Sequence, residues 1–432
     1  MIGRTKRIND YKQIDRALPA QRFVDPEYVF LPLRTGRCAE YELEVEEGDD
    51  VALAQRLGMR RGKFFEQPIL STVSGTVVDT VEMTDEQGEK RPFLKVRNDY
   101  QDTPAEGMRE RTEEEISALS KDEFVEIVKD NAIVGLGGSG FPSYIKMTSG
   151  HDIHTVVVNG VECEPYLQSD YYLIKEQAEE MLRGLSYIMR AVGAERGVVA
   201  VKSTKGALVE AVEKELGRFE GMNMQLAKVA DYYPQGWENA TFEAAVGTKV
   251  PVGTLPMEYG ILGFNASTCA HIYEAVKYNR PILKRFVTVN GDALKNPLLV
   301  RVRVGTSVRE LIDLAGGFRE DVEQGNVVLG GPMMGVAAPD VDVAVVPTTV
   351  SILVIEDEEH VEEPCVRCGS CIYSCPVDIQ PVSIMNAVKR GDKKALQQLE
   401  ADRCIECGLC AYVCTSKIHV TDYCREGKRQ VR

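Results

Sequence analysis

Eight of the twelve cysteines fall between positions 365 and 414. They form two runs of the same spacing: Cys365, Cys368, Cys371 and Cys375, then Cys404, Cys407, Cys410 and Cys414. Thiolates separated by two residues can wrap one cubane, because the backbone between them turns tightly around the sulfides. The fourth cysteine of each run then ligates the neighbouring cluster. The spacing predicts one [4Fe-4S] cluster on Cys365, Cys368, Cys371 and Cys414, and a second on Cys404, Cys407, Cys410 and Cys375. Structural zinc is the other common use of clustered cysteine, but it takes four ligands in two pairs, and two complete four-cysteine runs do not fit that demand. Pro376 follows the first run and Thr415 the second; proline is only a turn aid there. Two cubanes in one small domain make a one-electron wire, and clusters alone do not say where the electrons come from.

A second candidate is IVGLGGSGFPSYIK, residues 133–146. Gly135, Gly137, Gly138 and Gly140 would let a phosphate or a flat ring approach backbone N–H groups. The pattern fits G-x-G-x-x-G, but no clear strand precedes it and FPSY is a poor helix start, so it departs from the usual dinucleotide fingerprint. From the glycines alone a tight turn is an equal explanation. Downstream, VVVNGVECEPYLQSD (156–170) puts Asn159, Glu162 and Glu164 at the carboxyl end of an expected strand, where α/β sheets bind ligands. A solvated loop is the alternative for the two glutamates. Cys163 reads as a small buried cysteine, Cys424 as a free thiol, and Trp237, Met333 and Met334 as core filler.

The elements that must hold these groups follow from composition and pattern. At 432 residues the chain has room for about three domains. Hydrophobic residues at 44% and charged residues at 27% exclude wholesale disorder. A net charge of −15 argues against nucleic acid or anionic lipid as main partners. The longest apolar stretch, Val341–Ile355, is interrupted by Asp342 and Pro347, so no segment offers the ~20 apolar residues of a membrane span. The first residues lack the apolar core of a signal peptide, so the chain is expected in the cytosol, or on a membrane only through a partner. Residues 28–98 read as a small β domain, and 99–120 as a polar linker. Within 28–98, PILSTVSGTVVDTVE is similar to a lipoyl-type hairpin without the lipoyl lysine. Ser120 and Glu123 form a capping box for a helix. Thr155–Asn159, 197–202 and 224–229 read as strands, with helices at 174–192 and 205–219 between them, which suggests a layered α/β domain with a largely parallel sheet. Residues 286–335 have a β-grasp pattern, 355–363 form an acidic link, and the stretch between the cysteine runs is helical in composition.

In order along the chain come GLGGSGFP (135–142), VVNGVECEPYLQSD (157–170), YYPQGWEN (232–239), VPVGTLP (250–256), GFNASTCAHIYEAV (263–276), GGPMMG (330–335) and the doubled cysteine motif. Together they resemble the RnfC family, the NADH-dehydrogenase-type subunit of an ion-pumping membrane complex, and the related soluble PrdC-like electron-transfer proteins. Both share a module with the NADH-oxidising flavoprotein subunit of respiratory complex I. The resemblance implies an FMN and NADH site lined by Gly135, Gly137, Gly138, Gly140 and Phe141, with Lys146 at a phosphate. It implies that Asn159 bonds the flavin, that Glu162 and Glu164 orient the nicotinamide nucleotide, and that Asn265 and Thr268 lie near the FMN phosphate. It departs from the family at the N-terminus, where a Gly-Gly-Ile-His-Pro opening is replaced and Arg37-Cys38 occupies a turn, and in lacking an Ala/Lys-rich extension after the cysteines.

The expected architecture is an α/β and β multidomain chain. It has a barrel-sandwich domain at 28–98, a Rossmann-like FMN/NADH domain at 110–285, an SLBB β-grasp domain at 286–350 and a helical double-cluster ferredoxin domain at 358–424. The expected function is electron transfer from NADH through FMN and two [4Fe-4S] clusters to partner subunits on the cytoplasmic face of a membrane, with ferredoxin among the candidate partners. The alternatives are a soluble carrier feeding a dedicated reductase, and a cluster-bearing scaffold without a working NADH site.

Overall fold

The computed structural model describes residues 6–12, 22–322, 325–356 and 361–432. The N-terminal β unit is built from two antiparallel sheets. Tyr28–Pro32, Lys90–Asn98, Gly75–Thr84 and Asp50–Val51 form one in that spatial order; Glu40–Leu43, Arg56–Arg61 and Glu66–Leu70 form the other. Strand periodicity sends Val29 and Leu31, and Leu94 and Val96, into one core with Leu57, Ile69 and Val77. The linker expected at 99–120 contains a helix, Glu113–Ala118, opened by a reciprocal cap between Thr112 and Glu115. It buries only Ile116, too little to leave a periodic pattern. The capping box at Ser120 is present: Ser120 N–H donates to Glu123 at 2.8 Å and opens the helix Lys121–Asp130.

The central sheet has four parallel strands in the order Met224–Val229, Arg196–Lys202, Thr155–Asn159 and Ile261–Asn265. Its middle strands are apolar runs because helices cover both faces. The helix expected over 174–192 is two, Ser169–Glu176 and Ala178–Val192, broken at Gln177 (φ −128°, ψ 37°). The earlier start buries Asp170. Gly184 allows the second of these helices to close on Ala266–Tyr278: a Cβ there would lie 1.9 Å from the Cys269 carbonyl oxygen. The chain runs outward from Thr155–Asn159 through two strands and then returns on the other side of it. That reversal is a topological switch point, and Asn159 and Asn265 face each other across it as register partners.

Lys284–Asn290 and Leu298–Arg303 pair antiparallel and, with the helix Val308–Leu314 and the strands Gly325–Leu329, Val336–Ala337 and Ser351–Glu356, build a β-grasp. Arg22–Val24 joins its edge, parallel to Leu298–Arg303. The fully buried Arg303 donates to Asp25 at 2.6 Å and to the Thr72 carbonyl at 2.8 Å, tying this sheet to the N-terminal unit.

The cysteine region is helical. Pro381–Arg390 and Lys393–Gln398 meet at Gly391, which is left-handed (φ 66°), and Asp392, whose side chain caps the second helix. Both pack on Val420–Val431 around Ile384, Met385, Leu396 and Val420. Residues 357–360 of the acidic link lie outside the described residues. Among the described residues, no helix is long and apolar enough to cross a membrane.

Candidate functional site

A cleft of about 380 Å³ opens at the switch point, within the range of small-molecule and cofactor sites. Gly135, Gly137 and Lys146 line it from one side; Asn159, Glu162 and Glu164 from the end of the first strand; Asn265 and Thr268 from the fourth. Leu167, Trp237 and Phe264 supply apolar wall, and Ile405 and Cys407 close one end.

The glycine loop folds on itself. Gly135 N–H donates to the Phe141 carbonyl at 2.8 Å and Gly140 N–H to the Gly135 carbonyl at 3.0 Å. Gly138 and Gly140 take φ of +96° and +58°, which a side chain would strain. A short helix, Ser143–Met147, follows despite the unpromising FPSY start. Gly138, Gly140 and Phe141 are not among the residues lining the cleft. Phe141 turns toward the N-terminal unit, edge-on to Phe65 at 6.4 Å with the Arg37 guanidinium 5.7 Å from its ring centre. Arg37 also donates to the Ser139 carbonyl at 3.1 Å, so the unusual Arg37 turn braces the loop.

The polar groups of the cleft are positioned by bonds within the chain. Asn265 caps Ala266–Tyr278, its Oδ1 accepting from Ser267 N–H at 2.9 Å, while its Nδ2 donates to Asp170 at 2.6 Å. Thr268 Oγ1 accepts from Leu136 N–H at 2.9 Å. Asn159 Nδ2 donates to the Gly236 carbonyl at 2.9 Å. Lys146 donates to the Gly263 carbonyl at 2.8 Å and to Glu238 at 3.2 Å. Burial and the neighbouring Glu162 push the Asp170 carboxyl up, opposed by its bonds to Ser267 and Asn265. Glu162 accepts from Lys12 at 3.3 Å and from Asp170 N–H at 3.1 Å. Lys12 is almost wholly enclosed, with 2% of its side chain exposed.

Glu164 sits between the cleft and the cysteine region. It accepts from Tyr233 Oη at 3.3 Å and Met333 N–H at 3.2 Å, and the same Tyr233 hydroxyl donates to the Cys407 carbonyl at 2.7 Å. Gly331 is required beside it, since a Cβ there would lie 2.0 Å from the Glu164 carboxylate. Met333 and Met334 are therefore not simple core filler: one presents its N–H to Glu164, and the other, 48% exposed, lines the cleft. Burial pushes the Glu164 carboxyl from 4.5 up to about 7, against the opposing bonds from Met333 and Tyr233. The folded chain thus holds this proton more tightly than the unfolded one. Stability falls as pH rises through that window, by about 3 kcal/mol at most. Glu164→Gln, neutral at every pH, is expected to melt above the parent by a margin that widens from about pH 5.5 to about pH 8. Anaerobic thermal melts measure it, and a margin independent of pH would contradict the assignment.

Cys375, Cys404, Cys407 and Cys410 line one small cavity in the helical region. Cys407 lines the cleft as well. The ends of the two runs are laced together: Glu363 N–H donates to the Ser416 carbonyl at 2.9 Å and Ser416 Oγ to the Pro364 carbonyl at 3.0 Å, which brings Cys365 toward Cys414. Cys368 Sγ donates to Ser370 Oγ at 3.4 Å. The two runs repeat the same backbone. Arg367 and Glu406 are left-handed (φ 56° and 58°), as are Gly369 and Gly408 (φ 77° and 78°). These turns are what let sulfurs two residues apart converge, and all-thiolate sets of this spacing suit iron–sulfur clusters. Cys365 and Cys368 are exposed; Cys375 and Cys407 are buried.

Lys12, Asp170, Tyr233 and Trp237 belong to this site but not to the residues expected from sequence. Their roles rest on contacts between distant segments, for which no local spacing is a signal.

Four family descriptions match the chain in succession: the RnfC barrel-sandwich hybrid domain at 6–101, the Nuo51 FMN-binding domain at 128–274, the SLBB domain at 286–337 and a 4Fe-4S dicluster domain at 364–418. The chain is 35% identical to a subunit of the Na(+)-translocating ferredoxin:NAD(+) oxidoreductase complex of Acetobacterium woodii, over 84% of this chain and 82% of that one. It is 32% identical to the proton-translocating counterpart of Clostridium ljungdahlii, over 86% and 81%. A subunit of the ion-translocating oxidoreductase complex of Rhodobacter capsulatus is 33% identical, over 85% and 71%. A solved NAD+-reducing [NiFe]-hydrogenase in the H2-reduced state superposes with a TM-score of 0.51 at 17% identity, over 73% of this chain and 64% of that one, a likeness of fold alone. With the barrel-sandwich unit, the FMN-binding domain, the β-grasp and the doubled cysteine motif all in place, the chain belongs to the RnfC family.

Proposed function

We propose that this chain is the NADH-oxidising electron-transfer subunit of an ion-translocating membrane complex, placed on the cytoplasmic face, with FMN in the switch-point cleft and two [4Fe-4S] clusters in the helical domain. The observation that carries this reading is that Cys407 lines both the cleft and the cavity of its own cysteine set. A flavin held there would supply the conversion between two-electron hydride and one-electron chemistry.

The residues divide the work by position. Gly135 and Gly137 open the backbone to a flat ring, and Gly138 and Gly140 give the loop its left-handed turns. Phe141 acts through the loop, from its seat beside Arg37. Asn265 and Thr268 stand at the N-terminus of the helix Ala266–Tyr278, whose dipole favours a phosphate, and Lys146 adds a positive charge. Asn159 serves the ring, and Glu162 and Glu164 orient the nicotinamide nucleotide. Cys375, Cys404, Cys407 and Cys410 hold the cluster beside the cleft. Cys365, Cys368, Cys371 and Cys414 hold the outer one, next to the exposed Val366 and Tyr373 (68% and 74%), where another subunit or ferredoxin would be served. The ferredoxin:NAD+ chemistry named for the relatives fits this order of sites in either direction. The cleft assignment is tested by equilibrium FMN binding to the purified chain. Quenching of flavin fluorescence that saturates at one FMN per chain is expected; fluorescence that stays unquenched contradicts the assignment.

A further inference from the structure

The two cysteine runs are near repeats, yet the helices that follow them differ where they meet the sulfurs. Pro381 opens one helix six residues after Cys375, and Val420 opens the other six residues after Cys414. Seven and ten residues past Cys414 stand Thr421 and Cys424; the equivalent positions past Cys375 are Val382 and Met385. Thr421 Oγ1 lies 3.2 Å from Cys410 Sγ. Cys424 stands one helical turn further on the same face, with its Sγ 4.0 Å from the Pro381 carbonyl oxygen. Both residues line the cavity of that cysteine set. They are sealed from water, Thr421 at 6% and Cys424 at 0% exposure. On the other side neither the Val382 nor the Met385 side chain has a hydrogen to donate.

We infer that Thr421 is a tuning donor for the cluster on Cys375, Cys404, Cys407 and Cys410, raising its reduction potential above the value its four thiolates alone would set. Once Cys410 ligates iron as a thiolate it has no proton to give, so the Thr421 hydroxyl must be the donor. Hydrogen bonds to cluster sulfur favour the more negative, reduced state. Because the site is dry, water cannot replace a donor that is removed. The helix after the first run provides no such donor, so the two clusters are dressed unequally, and the enriched one faces the cleft.

This inference rests on the two-cluster reading, and iron content separates the two. Anaerobic redox titration of the iron-loaded chain, followed by electron paramagnetic resonance, measures each potential; the cleft-side signal is the one that Cys407→Ala removes. Thr421→Val is nearly isosteric. It is expected to keep the iron and to shift the cleft-side equilibrium about tenfold toward the oxidised form, which for one electron is about 59 mV, leaving the other cluster in place. Thr421→Ser, which keeps a hydroxyl donor, should hold most of the parental potential. The reciprocal change, Val382→Thr, should raise the outer cluster's potential instead. Parental potentials in iron-replete Thr421→Val, or equal shifts at both clusters, would overturn the inference. So would loss of iron from both Thr421→Val and Thr421→Ser, because the residue would then be structural. Absence of iron from the parent chain would sink the cluster reading itself.

Discussion

Gly137→Val is expected to abolish FMN binding while leaving the iron content of the chain unchanged. A Cβ at this position meets the Asn265 side chain at 3.2–3.4 Å, and the valine methyls must reach past it into the cleft. Asn265 has no freedom to retreat, since one end of its amide caps a helix and the other holds Asp170 at 2.6 Å. Overpacking of this kind costs about 1–3 kcal/mol, and the methyls take volume the ring needs. Affinity should fall at least a hundredfold, or about 2.8 kcal/mol. Gly138→Ala is the matched control. Its Cβ would meet nothing within 4 Å, but its φ is +96°, so the expected cost is about 1 kcal/mol of backbone strain with FMN binding retained. Fluorescence titration and iron analysis of both variants make the comparison. Parental FMN affinity in Gly137→Val would move the flavin out of this cleft.

Cys407→Ala should cut iron from about eight to about four atoms per chain, the loss of one cubane. It should also disconnect the remaining cluster from the cleft. Cys365→Ala should lose a similar amount of iron from the exposed set but leave the cleft-side cluster able to accept electrons. The bond from Tyr233 is to the Cys407 carbonyl, so it survives the substitution and the cleft should keep its shape. The two variants therefore have matched iron loss and opposite responses to NADH. Full iron in Cys407→Ala would remove this residue from the ligand set. An NADH-reducible cluster in that variant would place the relay elsewhere.

The parts of this protein that were legible in its sequence are those governed by local spacing. Cluster ligation is such a case, because sulfurs two residues apart converge through turns set by Arg367, Gly369 and their counterparts Glu406 and Gly408. The strands Thr155–Asn159 and Arg196–Lys202 were legible for the same reason, as unbroken apolar runs between helical segments. The glycine loop was ambiguous alone, and became specific only beside the later motifs. What stayed hidden depends on long-range pairing. The switch point exists because Ile261–Asn265 returns to the far side of Thr155–Asn159, which no window around either strand encodes. Lys12 reaches Glu162 across 150 residues. Phe141 faces Phe65 and Arg37 because the N-terminal unit packs on the loop, and the roles of Met333 and Met334 follow from the β-grasp loop closing over Glu164.

The central claim is a continuous path from the cleft to the cysteines. Its most direct test is an anaerobic titration of the FMN- and iron-loaded chain with NADH, followed optically and by electron paramagnetic resonance. Flavin bleaching accompanied by a cluster signal, with the signal lost in Cys407→Ala, is the expected result. Clusters that respond to dithionite but not to NADH, in a chain with FMN bound, would contradict it.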